Sequence, residues 1–255
     1  MKQIIDLTGK KIIVVGASQG IGQQTAITLS TVGAELILIA RNADNLNKTK
    51  SLLSGEGHIC KPFDIGQIDE IEPLIKGIVK ESGKIDGLVY CAGITNDRPL
   101  TMFKPELVEE VLRVNLCGFI EMVRAATKKN RFNEGMRIVG ISSTSALKGA
   151  KAHMAYSASK AGMDGAVRAM AVELAEKGIC INTVAPGMIH TSMYEKYLEG
   201  NGGAEGSANL GLLGRQYLGI GRTEDVANTI AFLISPASRF ITGVTLPVDG
   251  GLTSC

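Results

Sequence analysis

Nothing in the 255 residues is arranged for a metal centre or a disulfide framework. There are five cysteines, Cys60, Cys91, Cys117, Cys180 and Cys255, an odd number with no CxxC pair. That pattern argues against zinc sites and cross-linked scaffolds. Most of them lie in apolar segments, where free cysteine acts as a small buried hydrophobe, so a reduced, cytoplasmic set of thiols is expected. The histidines His58, His153 and His190 have no ligand spacing either. Long hydrophobic runs are missing: no stretch reaches the roughly 18 apolar residues that span a bilayer. The amino-terminal MKQIIDLTGKK has no apolar core followed by a cleavage site, so no secretory signal is expected. An excess of charge is missing too. The 27 Lys and Arg against 25 Asp and Glu leave +2, too little to indicate nucleic acid or an anionic membrane. No repeat, linker or low-complexity segment interrupts the chain.

What is present is a core-forming composition, 45% hydrophobic. A chain of this size buries about 70–75% of its unfolded surface. Residues 11–15 (KIIVV), 35–40 (ELILIA), 58–60, 86–90 (DGLVY), 136–142 (MRIVGIS), 179–185 (ICINTVA) and 243–249 (GVTLPVD) read as seven strands. Unbroken β-branched apolar runs are the mark of strands buried on both faces. Pro247 points to an edge strand or a strand end. Between them, helical spacing covers residues 21–31, 68–79, 105–129, 154–176 and 224–234, with a further helix capped by Asn42 or Asp44. Alternation of strand and helix predicts an α/β protein. Residues 1–255 are expected to form one doubly wound Rossmann-fold domain, a seven-stranded parallel sheet with helices on both faces. The glycine-rich segment 191–221 is expected to be a lid.

Gly16, Gly20 and Gly22 stand between the first strand and the first helix. There a Rossmann fold brings bare backbone and a helix N-terminus to a pyrophosphate. The spacing is GxxxGxG, and a tight turn without a ligand is the alternative. On the dinucleotide reading, Gly16, Ser18, Gln19, Gly20 and Ile21 hold the cofactor. After the second strand the chain carries Arg41 and no carboxylate. A guanidinium can grip a 2′-phosphate with two parallel bonds, so NADP(H) is preferred over NAD(H). The alternative is a solvated loop charge, and Gln19 adds no second cation. Further on, Tyr156 and Lys160 are four apart, on one face of a helix. A neighbouring cation favours the phenolate, making the tyrosine a proton donor and acceptor. To act near pH 7 its pKa must fall by about 3, which needs about 4 kcal/mol.

Together these residues resemble the short-chain dehydrogenase/reductase family, over nearly the whole chain. The resemblance rests on VGASQGIG (15–22), CAG (91–93), Asn115 in RVNLCG, Ser143 in GISS, YSASK (156–160), APG (185–187) with Thr191, and VDGG (248–251). Ser143 lies 13 residues before Tyr156, the usual family interval. The resemblance implies that Tyr156 exchanges a proton with the substrate oxygen. Lys160, jointly with the cationic nicotinamide of the oxidised cofactor, would lower the tyrosine pKa, and it would bond the nicotinamide ribose. Ser143, with Ser142 as the alternative, would hold the substrate oxygen. Asn115 would help hold a water linking Lys160 to solvent, or serve as a satisfied core amide. Asp64 and Ile65 would border the adenine, and Ala92 and Gly93 the adjoining ribose. Cys91 stands where the family often has asparagine. Pro186, Gly187, Ile189 and Thr191 would meet the nicotinamide and pyrophosphate.

The activity implied is an NADP(H)-dependent carbonyl reduction or alcohol oxidation. The closest type is a 3-oxoacyl-[acyl-carrier-protein] reductase, which would place it in fatty acid biosynthesis with a small-molecule or carrier-bound carbonyl substrate. A sugar, polyol or small-ketone dehydrogenase is the rival enzyme, and a silent dinucleotide-binding sensor is the rival outside catalysis. Ile94, Thr95, Leu147, Met188, Met193 and Tyr194 are candidate substrate-pocket residues. For His153 and His190 a structural or solvated role is expected, with the pocket as the alternative for His153. Family members are commonly homotetramers or dimers. Helices 105–129 and 154–176 are the natural dimer surface, unless small residues such as Gly162 only pack inside the subunit.

Overall fold

The computed structural model describes residues 4–200 and 216–254. Its strands are β1 (Lys11–Val15), β2 (Glu35–Ala40), β3 (Ile59–Pro62), β4 (Ile85–Tyr90), β5 (Phe132–Ile141), β6 (Cys180–Pro186) and β7 (Thr245–Val248). They form one sheet in the order β3-β2-β1-β4-β5-β6-β7. Every neighbouring pair is parallel. The helices are α1 (Gly20–Thr31), α2 (Ala43–Ser51), α3 (Ile71–Ser82), α4 (Pro105–Leu112), α5 (Gly118–Ala126), α6 (Met154–Ala175), α7 (Ser192–Gly200) and α8 (Thr223–Ile234).

β1 shows how the sheet is covered. Ile13 and Val15 enter one apolar cluster, with Ile75 of α3, Phe119 of α5 and Val167 of α6. Ile12 and Val14 enter the other, with Leu29 of α1, Leu46 of α2 and Ile230 of α8. A strand with helices on both sides must be apolar at every position, hence the unbroken runs in the sequence. The expected doubly wound α/β architecture is therefore present. The edge strands β3 and β7 both contain a proline, Pro62 and Pro247.

All strands run the same way, so every loop leaving a carboxyl end emerges on one side. From β1 the chain moves outward through β2 and β3, then returns to β4 on the other flank of β1. A crevice opens where those two directions part, and ligands of such sheets bind there. The exits of β1 and β4 come unusually close. A Cβ on Gly16 would lie 2.7 Å from the Ala92 nitrogen, and Gly16 has φ 83°. Any other residue would clash with backbone and strain its own.

The expected helix over 105–129 is broken in two. Between α4 and α5 residues Arg113–Cys117 form a π-helical turn. The cause is side-chain competition for backbone groups. Tyr90 donates its hydroxyl to the Val114 carbonyl at 2.5 Å, and Asn115 turns inward to bond the main chain of Ile94. One extra residue per turn accommodates both, as π-bulges do at functional sites. Smaller shifts occur at β3, expected at 58–60. There His58 leaves the ladder and its Nδ1 accepts the Leu36 N–H at 3.1 Å. Helix 68–79 begins as a 3₁₀ turn, Ile68–Glu70, before α3. Asn42, and not Asp44, caps α2, accepting the Asn45 N–H at 2.8 Å. Of the expected lid 191–221, residues 201–215 lie outside the described residues. Gly162 packs within the chain: a Cβ there would stand 2.9 Å from Leu116 Cδ2.

Candidate functional site

A cleft of about 640 Å³ lies over the crevice between β1 and β4. The loop after β1 contributes Gly16, Ser18, Gln19, Gly20 and Ile21, and the end of β2 contributes Arg41. Asp64 and Ile65 come from the loop after β3, and Cys91, Ala92 and Gly93 from the exit of β4. Thr191 closes the cleft from the start of α7. The structure thus gathers twelve residues that the sequence singled out for a dinucleotide, from five separate loops. The first turn of α1 has no side-chain cap and no acidic residue. Its N–H groups are left for a ligand, in the geometry that binds phosphate. The donor set, the bare glycine turn and the length of the cleft fit a dinucleotide.

A second cavity, of about 220 Å³, adjoins the first, sharing Ile21, Thr191 and Met193. Ser143, Tyr156, Pro186, Gly187 and Ile189 line it. Lys160 is almost fully buried behind Gly93, a residue of the larger cleft. Its Nζ donates to the Ile141 carbonyl at 2.6 Å and lies 5.7 Å from the Tyr156 ring centroid. A Cβ on Gly93 would come within 3.3 Å of Nζ, so glycine lets the ammonium border the cleft. Burial pushes the Lys160 pKa down to about 8, opposed by Cys91 and Asp164.

Lys160 without the nicotinamide does not produce the expected fall, and in the protein alone the Tyr156 pKa stands above its ordinary value. Burial raises its pKa, a hydrogen bond from Ser143 lowers it, and the Asp97 carboxylate raises it further. Lys160 adds no counterweight; its ammonium donates to the Ile141 carbonyl and lies over the Tyr156 ring. In the protein alone, Tyr156 is therefore held protonated.

The two serines are distinguished by their partners. Ser142 Oγ donates to Asp164 Oδ2 at 2.9 Å, deep in the core. Ser143 caps the following 3₁₀ turn by accepting the Ser145 N–H at 3.1 Å, and its hydroxyl meets Tyr156. Asn115 is completely buried. Its Oδ1 accepts the Ile94 N–H at 2.8 Å, and its Nδ2 donates to the Ile94 carbonyl at 2.9 Å and to Ser159 Oγ at 3.0 Å. Both amide hydrogens are committed, so a water would have only the second lone pair of Oδ1. Burial pushes the Cys91 thiol up to about 12, against a bond from Thr25 and the charge of Lys160, so the thiol stays neutral.

Among the expected pocket residues, Thr95, Met188, Met193 and Tyr194 line the smaller cavity. Ile94 lines the larger cleft instead, and Leu147 is exposed outside both linings. His153 borders the smaller cavity, its ring edge-on to Tyr156 at 6.1 Å, with Nε2 3.6 Å from Asp97 Oδ1. His190 stacks at a tilt on Tyr194, at 6.2 Å. Residues outside the expected set include Asp97 and Lys148 at the smaller cavity, and Gln216 behind its wall. Asp97 and Lys148 lie in stretches with no spacing signal. Gln216 was hidden inside a segment read only for its glycines.

A family model described as Enoyl-(Acyl carrier protein) reductase matches residues 16–253. Carbonyl reductase family member 4 of Danio rerio is 36% identical over 240 residues, covering 94% of this chain and 96% of its own. A 3-oxoacyl-[acyl-carrier-protein] reductase of Synechocystis sp. is 35% identical over 250 residues, covering 96% and 98%. Among solved structures, a short-chain type dehydrogenase/reductase from Mycobacterium ulcerans matches with a TM-score of 0.88 at 29% identity, covering 97% and 91%.

Proposed function

Since the chain belongs to the short-chain dehydrogenase/reductase family of oxidoreductases, whose members use nicotinamide dinucleotides, we propose that it interconverts a carbonyl and a secondary alcohol with NADP(H), as a 3-oxoacyl-[acyl-carrier-protein] reductase-like enzyme. The observation that carries this reading is the placing of Ser143 and Tyr156 in the smaller cavity that adjoins the dinucleotide cleft, with buried Lys160 over the Tyr156 ring. When bound, the nicotinamide dinucleotide supplies or accepts the hydride. The rest is the work of this chain. Tyr156, held protonated by burial, gives its proton to a carbonyl oxygen, which suits reduction. Ser143 donates a hydrogen bond to the same oxygen and stabilises the charge that develops there. Lys160 holds a positive charge beside the phenolate left behind. Asn115 fixes the Ile94 backbone beside Gly93 and so shapes the cleft wall.

At the far end of the cleft, Arg41 selects the cofactor. Arg41→Asp removes the partner of the 2′-phosphate and adds a repelling charge. With charged hydrogen bonds contributing about 1.5–3 kcal/mol, the NADPH/NADH ratio of kcat/KM should fall by at least about tenfold. An unchanged ratio would reject Arg41 as the selector.

A sugar or polyol substrate is the second reading, favoured by the polar side chains Asp97, His153 and Lys148 around the smaller cavity. Turnover assays with both cofactors against 3-oxoacyl thioesters, sugars and simple ketones separate the two. The primary reading expects the acyl thioester with NADPH to be fastest. Faster turnover of sugars would favour the second. Tight cofactor binding without any turnover would make the chain a silent sensor.

A further inference from the structure

The wall of the smaller cavity formed by Pro186, Gly187, Met188 and Ile189 runs past the end of the sheet. Gly187 makes the last ladder bond, its N–H donating to the Val248 carbonyl at 3.0 Å. Beyond it the wall has no strand to lie against. A side-chain amide takes the strand's place. Gln216 Oε1 accepts the Met188 N–H at 2.8 Å, and its Nε2 donates to the Met188 carbonyl at 3.0 Å. The amide thus offers Met188 one acceptor and one donor, as a neighbouring strand would. The second Nε2 hydrogen goes to the Gly219 carbonyl, folding residues 216–221 back on themselves. That turn then pairs with the wall again. Gly221 N–H donates to the Met188 carbonyl at 3.0 Å, and His190 N–H to the Gly221 carbonyl at 2.9 Å.

The fit is specific to this side chain. Gln216 is 2% exposed. A Cβ on Gly187 would lie 2.4 Å from Gln216 Oε1, so glycine is needed there to admit the amide. Asparagine is one methylene too short to span the same partners, and glutamate has no donor for the two carbonyls unless protonated.

We infer that Gln216 is a positioning residue, whose amide holds the Pro186–Ile189 wall in register with Ser143 and Tyr156 during turnover. The inference rests on the carbonyl–alcohol reading of the site. Gln216→Met keeps the length and volume of the side chain and removes all three hydrogen bonds. It should lower kcat about tenfold or more, since small misplacements near the reacting atoms are costly. The dissociation constant for NADPH should weaken by less than kcat falls, because Arg41 and the turn before α1 lie elsewhere and only the nicotinamide end meets the wall. Amide hydrogen exchange across residues 186–190 should quicken. Gln216→Glu provides a second readout. Its carboxylate repels the Met188 and Gly219 carbonyls, whereas the protonated acid can donate to one of them. Its activity relative to the parent should therefore rise as pH falls.

Unchanged exchange at 186–190 in Gln216→Met overturns the inference. So does faster exchange with kcat and substrate KM within about twofold of the parent. If Gln216→Met does not fold, Gln216→Glu decides, and a relative activity that is flat with pH overturns the inference. If the parent protein itself turns over no carbonyl or alcohol, the functional reading fails separately, and exchange at 186–190 alone tests whether Gln216 holds the wall.

Discussion

Replacing Tyr156 by phenylalanine is expected to lower kcat by roughly 10²–10⁴-fold, the usual contribution of a positioned general acid or base. Cofactor affinity should be preserved. The cleft that fits the dinucleotide is built from the loops after β1, β2, β3 and β4 and from Thr191, and the substitution removes one oxygen from α6. The ring itself stays, edge-on to His153, so the smaller cavity keeps its shape. The measurement is turnover alongside the dissociation constant for NADPH. Near-normal turnover would end the mechanism proposed here, since it assigns the proton to the hydroxyl that Ser143 bonds in the smaller cavity. The raised tyrosine pKa adds a directional expectation. Reduction needs the protonated hydroxyl and alcohol oxidation needs the phenolate, so oxidation by the parent should gain with rising pH.

Lys160→Met should also reduce turnover severely, and it should leave a mark on stability that Tyr156→Phe does not. The sign follows from burial. The folded protein releases the Lys160 proton at about 8, against an ordinary 10.5, so the unfolded chain binds more protons between those values. Stability of the parent therefore rises with pH across that window. The drop from 10.5 to about 8 corresponds to about 3 kcal/mol of unfolding free energy. Relative to Lys160→Met, the parent should gain on that order between about pH 8 and 10.5. The comparison cancels constant costs, such as the lost bond to Ile141. Denaturant unfolding of both proteins across that range measures it. Parallel curves would show that Lys160 carries no buried-charge penalty. The same charge that serves the proposed chemistry costs the fold stability at neutral pH.

The sheet was legible because burial on both faces leaves an unbroken apolar run over residues 12–15 of β1 and 36–39 of β2. The glycine turn was legible because close approach to Ala92 admits only glycine. Ser143 stood out from Ser142 only by an interval, and the physical difference, a hydroxyl turned to Asp164 or to Tyr156, exists only in three dimensions. The π turn could not be read. Its apolar spacing is that of an ordinary helix, and its cause lies in Tyr90 and Ile94, distant in sequence. That Lys160 alone does not lower the tyrosine pKa was illegible for a similar reason. An i, i+4 lysine says that a charge is near, but not that Ile141 turns it toward the ring. Gln216 has no motif because its partners are backbone groups, which every sequence supplies equally.

The prolines of the two edge strands have a consequence for how this molecule meets its own copies. In β7 the carbonyls of Val244 and Val248 accept from Thr183 and Gly187 of the β6 side, so the peptide groups of Thr245 and Pro247 turn outward. In β3 the Phe63 N–H binds the Ala40 carbonyl of β2, which turns Cys60 and Pro62 outward. Each exposed edge therefore offers a proline where a new strand would seek a donor. The crevice for the cofactor lies along the carboxyl ends, while each side edge lacks a donor at its proline, which hinders edge-to-edge pairing.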